Sequence, residues 1–338
     1  MASTNRTIRA KSWICHQNSE GGRHARYSQF PSRFTSFARV TRGGHIVAST
    51  AGKEACLASR QHSIDRDAGG QIRNVYQLKA SPIAAIRIIA VANHKGGAAK
   101  TTTAVNLAAG LVRKGRRVLL LDLDPQGNAS SWLGVEADSG MFAVLAENRP
   151  VAAELHESSL AGLAVVPASQ RLAGAERILA AELAAETILR RRLEETDLSA
   201  WDYVILDTPP ALNLLTINAL AAADEVLVPV EAHVLALSGV AQIAQTIGVV
   251  RTRLNPRLRL TGFVICRFDT RTRHSVEVRE RLSAKFGDQV LHTVIRENIR
   301  LAEAPSFGAP IDVYAPTSPG AADYAALASE ILAMERDD

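Results

Sequence analysis

The sequence predicts an α/β protein built on an open, mostly parallel sheet with helices on both faces. Two observations carry this prediction. Short apolar runs rich in Val, Ile and Leu recur along the chain from Ile86 onward, and stretches with helical apolar spacing separate them. Runs without polar alternation mark strands covered on both sides, and strands alternating with helices build βαβ units. At 338 residues, 47% of them hydrophobic, the chain has ample material for one large core or two smaller ones.

The first run, IRIIAVA at 86–92, is a strand. The segment TTTAVNLAAGLVRKG at 101–115 has helical spacing, and Gly115 suits the helix end. RVLLLDLD at 117–124 is a buried strand closing on two carboxylates, Asp122 and Asp124. Further strands are expected at 162–166 (GLAVV), 203–206 (YVIL), 225–230 (EVLVPV) and 259–265 (RLTGFVI). Residues 173–195 read as one long amphipathic helix rich in Ala and Leu, and a last helix covers about 319–335. No internal repeat is visible.

Residues 1–85 differ in character: no period is sustained, and Ser, Arg, Gly, His and Thr abound. They are expected to form a basic, disordered extension, with the folded domain at 86–338. The net charge of +5 is unevenly divided. Residues 1–87 carry 14 Lys/Arg against four acids, a net +10, and the remainder carries 25 against 30, a net −5. A DNA anchor, a solvated tail and a start codon placed too far upstream all fit this composition. No run reaches the roughly 18 apolar residues of a membrane span, and the amino terminus lacks an apolar signal core. Cys15, Cys56 and Cys266 are too widely spaced for a metal cluster. A cytoplasmic location without membrane attachment is the expectation.

Residues 94–103, HKGGAAKTTT, connect the first strand to the first helix. Gly96 and Gly97 permit tight reversal, and Lys100 and Thr101 stand at the helix start. Converging backbone N–H groups, a helix N-terminus and a cation are what a phosphate site requires. The usual pattern G-x-x-x-x-G-K-[ST] is nevertheless broken, because His94 and Ala99 occupy its two glycine positions.

The stretch resembles the loop of the ParA/Soj family of deviant Walker A ATPases, K-G-G-x-[GA]-K-[ST]-[ST], which does not need the first glycine. RVLLLDLDPQGNAS (117–130) and WDYVILDTPPALNLLTINAL (201–220) resemble the family's next two blocks, in family order. The resemblance covers about Ile86 to Ile331 and implies a P-loop NTPase-like fold that hydrolyses ATP with Mg²⁺, slowly until a partner stimulates it. It implies that Lys95, Gly96, Gly97, Ala98, Ala99, Lys100, Thr101 and Thr102 bind nucleotide. In this reading Lys95 reaches the partner's phosphates across an ATP-bound homodimer, and Thr101 ligates Mg²⁺. Asp124 positions the attacking water, Asp207 holds the metal through water, and Asp122 assists there. Ala99 departs from the commoner glycine, at a cost of about 1 kcal/mol if the position needs positive φ.

RFDTRTRHS (267–275) and ENIRLAEAPSFGAPIDVY (297–314) resemble stretches of the partition branch. They imply non-specific DNA contact by Arg271 and Arg300, with Arg273 adding charge, a ParB-type centromere-binding partner, and nucleoid association. Basic residues usual at 317 and 319 are replaced by Thr317 and Pro319, a loss that Arg296 is expected to offset in part. A MinD-type membrane helix is not expected, since the chain ends Glu335-Arg336-Asp337-Asp338, which anionic lipid repels. A cluster-bridging role like that of the nitrogenase iron protein fails because Cys266 alone follows the extension. Ranked below partition is a switch that positions a protein complex or acts as a regulator instead of segregating DNA, and below that an amide-forming or cluster-handling enzyme.

Overall fold

The computed structural model describes residues 37–40, 46–49, 65–66, 72–73, 86–233 and 236–336. The rest of the amino-terminal segment, with Cys15 and Cys56, lies outside the described residues, as does nearly all of the expected extension. Within that segment, β1 (Phe37–Val40) pairs antiparallel with β2 (Ile46–Ser49), and β3 (Asp65–Arg66) with β4 (Ile72–Arg73). These belong to a separate unit, 1–81, while 82–338 form the second.

The second unit is organised by an eight-stranded sheet. Its strands are β5 (Arg87–Val91), β6 (Val118–Asp122), β7 (His156–Glu157), β8 (Leu163–Val166), β9 (Tyr203–Asp207), β10 (Glu225–Glu231), β11 (Arg259–Phe268) and β12 (Val290–Arg296). The order is β12-β11-β10-β5-β9-β6-β8-β7, parallel throughout except for the edge pair β7–β8. β7 and β12 were not legible in the sequence: one is two residues long, and the other, VLHTVIR, mixes polar and apolar residues as sheet-margin strands do.

Alternation along the strands separates two cores. Ile89, Val91, Val118 and Leu120 face one side, where they pack with helices α1 (Lys100–Arg113), α2 (Asn128–Trp132) and, further along the chain, α10 (Ile311–Tyr314) and α11 (Pro319–Ala333). Ala90, Leu119, Leu121 and Val204 face the other, against α3 (Met141–Ala146), α4 (Leu172–Leu179), α5 (Ile188–Glu194), α6 (Leu214–Ala222), α7 (Ala236–Arg253) and α8 (Arg273–Phe286). Helices therefore cover both faces, as expected. Arg87 fastens the last helix to the sheet, pairing with Glu225 at 2.7 Å and donating to the Ile331 carbonyl at 2.8 Å.

The expected helix 173–195 is a correction: it is two helices, α4 and α5, broken at 180–184. Ala184 turns left-handed there, with φ of 54°. Asn218 of α6 stabilises the break, its side chain accepting from the Leu189 N–H at 3.0 Å and donating to the Ala185 carbonyl at 2.8 Å. A buried amide that satisfies backbone groups at such a point offsets the lost helical bonds.

Candidate functional site: a phosphate loop at the carboxyl edge of the sheet

Ligands of open α/β sheets bind beyond the carboxyl ends of the strands. Here β5, β9 and β6 are neighbours, and register pairs Val91 with Asp207 and Asp207 with Asp122. The loop after β5 thus lies beside the two strand-end carboxylates that the sequence singled out.

The loop ends in a helix left open at its start. α6, α8 and α11 have side-chain caps from Asn213, Thr272 and Ser318, whereas α1 has none. Its first-turn N–H groups are available to an anion. Asn93 secures the loop's entry, donating to the Pro229 carbonyl at 2.7 Å and accepting from the Lys95 N–H at 3.2 Å. His94 packs over α7 at Gly239, where an added Cβ would stand 2.5 Å from the imidazole; a side chain at position 94 fits because position 239 has none. Gly97 has φ of 75°.

Ala99 adopts φ 61° and ψ 27°, the left-handed conformation that favours glycine. An Ala99→Gly variant is therefore expected to be more stable by about 0.5–1 kcal/mol. A higher denaturant midpoint with unchanged slope would bear this out; a lower midpoint would mean that the methyl's packing outweighs the strain.

Lys100 is only 6% exposed, and its ammonium donates to the Lys95 carbonyl at 3.2 Å. Burial draws its pKa below the ordinary lysine value, opposed by the Asp207 and Asp124 carboxylates. Asp207 is fully buried, and neither of its oxygens has a hydrogen-bond partner. Burial pushes its pKa well up, the Asp122 and Asp124 carboxylates add to the rise, and the Lys100 ammonium opposes it. An orphaned buried carboxylate beside a hydroxyl and a phosphate loop fits a hydrated divalent cation, which would supply the missing partners. Among the described residues no cluster of three or more His, Cys, Asp or Glu could hold a metal alone. Such a cation would therefore rely on water and phosphate oxygens.

Asp122, expected to assist at the metal, also has a structural task. One oxygen accepts from the Asp124 N–H at 3.1 Å, and the other from the Ser130 N–H and hydroxyl at 2.9 and 2.6 Å. Asp122 thus organises the turn that carries Asp124. Burial pushes its carboxyl up to about 6, against the pull of the Ser130 and Asp124 hydrogen bonds. Asp124 is 7% exposed and accepts from the Gln126 N–H at 3.0 Å. Thr102 supports the helix start through its carbonyl, which accepts from Asn106 at 2.8 Å.

Lys95 is not extended into solvent. Its ammonium pairs with Glu231, the last residue of β10, at 2.9 Å. Glu231 and Asn93 went unrecognised in the sequence, although an acid closing an apolar strand is the signal that revealed Asp122 and Asp207.

The arginines sit at the same carboxyl edge but toward its margin, after β11 and β12. Arg271 is 87% exposed and pairs with Asp269 at 2.8 Å; Arg273 opens α8, exposed. Arg300, in α9 (Ile299–Glu303), pairs with Glu303 at 2.8 Å. Arg296, expected to strengthen this patch, instead grips Asp323 at 2.6 Å and anchors α11.

A capless helix after a lysine-bearing loop, facing strand-end carboxylates on a parallel sheet, defines a P-loop ATPase. Comparison with known proteins narrows the class. A family model described as "AAA domain" matches residues 86–260. The chain is 50% identical over 254 residues to the chromosome-partitioning ATPase Soj of Thermus thermophilus, covering 75% of this chain and 98% of that protein. It is 44% identical over 250 residues to the sporulation initiation inhibitor protein Soj of Bacillus subtilis, covering 73% and 98%. Among solved structures, cobyrinic acid a,c-diamide synthase from Mycobacterium smegmatis with bound ATP analogue and magnesium superposes with a TM-score of 0.64 at 37% identity, covering 73% and 94%. The chain belongs to the ParA/Soj family of P-loop ATPases.

Proposed function

We propose that this ATPase is a partition switch: it dimerises on ATP, binds nucleoid DNA without sequence preference, and moves replicons with a ParB-type partner in the cytoplasm. The relatives named for chromosome partitioning favour a chromosome as the replicon. Residues 86–338 carry the activity, and 1–85 are a basic extension beyond it. Among the described residues no helix is long and apolar enough to cross a membrane.

The observation that carries the catalytic part is the orphaned Asp207 carboxylate beside the buried Lys100. Lys100, Gly96, Gly97 and the α1 N-terminus hold the ATP phosphates, with Ala98, Ala99 and Thr102 completing the cradle. Thr101 and Asp207 would hold Mg²⁺, which when bound supplies positive charge to the phosphate oxygens. Asp124, fixed through its N–H to Asp122, orients the attacking water. Lys95 contributes its charge to the partner's nucleotide. Phosphoryl transfer asks for little more than this positioning and neutralisation. Loss of the γ-phosphate removes the bridge between subunits, and the dimer loosens.

DNA contact rests on Arg271 and Arg300, which exchange Asp269 and Glu303 for backbone phosphates, and on the exposed Arg273 beside them. DNA retention is expected with ATP, to be weaker with ADP and to fall steeply between two salt concentrations, since each phosphate contact contributes a slope of about 0.9. Arg271→Glu should lower retention several-fold with ATP. Equal retention under ATP, ADP and no nucleotide would remove the switch, and no retention at all would favour a protein cargo.

A further inference from the structure

We propose that Glu231 is a positioning residue that parks Lys95 within its own subunit until ATP recruits it, and that Arg267 sets how tightly the lysine is held. This rests on the trans role of Lys95 put forward above. The carboxylate of Glu231 is shared: one oxygen faces Lys95 at 2.9 Å, and the other accepts from Arg267 at 2.9 Å. Arg267 also approaches Glu297 at 3.4 Å. Four alternating charges therefore run from the phosphate loop to the residue that follows β12.

The backbone and side chain of Lys95 are held differently. Its N–H is tied to Asn93 and its carbonyl to Lys100, so the main chain is fixed from both sides. The ammonium has the Glu231 contact, in a side chain that is 34% exposed. Ion pairs this accessible are weak and readily exchanged. A lysine that must turn to a partner's phosphate needs such a hold: firm enough to fix its position beside the loop, loose enough to yield to a polyanion.

Release also has to leave no stranded charge. A carboxylate losing its one counter-ion in a half-buried place is penalised. Glu231 keeps Arg267 after Lys95 departs, which lowers the cost of departure. Arg267 is held at φ of 54°, a conformation a non-glycine residue rarely adopts, which places it at the end of β11 facing Glu231. Glu231 itself is fixed at the end of β10, in register with Cys266.

The two neighbours should then act in opposite directions. Glu231→Gln removes the hold, and the ATP concentration giving half-maximal dimer, read by light scattering without DNA, is expected to fall roughly threefold to tenfold. Arg267→Gln leaves Lys95 as the principal counter-ion of Glu231, and the same midpoint should rise by a similar factor. Glu231→Asp, which keeps the charge, should return the midpoint toward wild type. A purely structural network would move both variants the same way, alongside a lowered melting temperature. Lys95→Ala is the control on which the reading of trans action stands: it should abolish dimer in every background. If it does not, that reading fails. If it does, yet the Gln variants shift together or not at all, the parking role of Glu231 is overturned.

Discussion

An Asp207→Asn variant is expected to lose ATP turnover by roughly 100-fold or more and yet, without nucleotide, to unfold at a higher temperature than wild type at about pH 8. Both effects have one source. Neither buried oxygen of Asp207 has a hydrogen-bond partner, and the neighbouring Asp122 carboxylate raises the cost of ionising it. An amide is nearly isosteric and carries no charge to desolvate, so it relieves the empty fold. It cannot replace the anion that a hydrated cation requires. The pH dependence follows in sign. A carboxyl whose folded pKa lies above its unfolded value keeps its proton longer in the folded state. Stability is then greatest below the unfolded value, near 4, and is lost as pH rises through the folded value. For Asp122 the window runs from about 4 to about 6, and for Asp207 it likewise opens upward from the ordinary carboxylate value. Wild type should therefore melt at a lower temperature as pH is raised from about 5 to about 8, and Asp207→Asn should melt with a shallower dependence. Phosphate release and thermal melting measure the two halves. A variant that melts lower than wild type at about pH 8 would show that the carboxylate stabilises the empty fold, contrary to its desolvated setting.

What the sequence disclosed and what it withheld divide along physical lines. Strands buried on both faces announce themselves, because runs such as LLLD and YVILD have no competing period, and the acids that close them stand out. The phosphate loop was legible for the same reason: Gly-Gly followed by Lys-Thr between a strand and a helix has few other uses. The break at 180–184 was hidden because it depends on Asn218, distant in sequence, reaching two backbone groups. The duty of Asp122 was hidden likewise, since Ser130 meets it only once the turn has closed. Arg296 and Arg300 look equivalent as charges in a row. Their partners separate them: Asp323 makes Arg296 an anchor of α11, whereas Glu303 holds Arg300 within its own short helix. Charge can be counted from sequence, but its partner is a tertiary fact.

Lys100→Ala is expected to weaken ATP binding by roughly 100-fold or more, whereas Lys95→Ala should leave binding by the single subunit within a few-fold of wild type. The two lysines are five positions apart and in hydrogen-bond contact, yet their environments assign them different work. Lys100 is buried, its pKa drawn down by burial, and it is the cation facing Asp207 and Asp124. Removing it takes away the charge that meets the phosphates and leaves two carboxylates to repel them. Lys95 is one-third exposed and bound to an acid at the end of a neighbouring strand. Its loss removes no counter-charge that either Asp207 or Asp124 depends on. A fluorescent ATP analogue titrated onto each variant at a protein concentration too low for dimers separates the two. Equal losses would mean that Lys95 serves its own subunit's nucleotide, and the division of labour between them would fall. A loss confined to Lys100→Ala would place the function of Lys95 beyond its own active site.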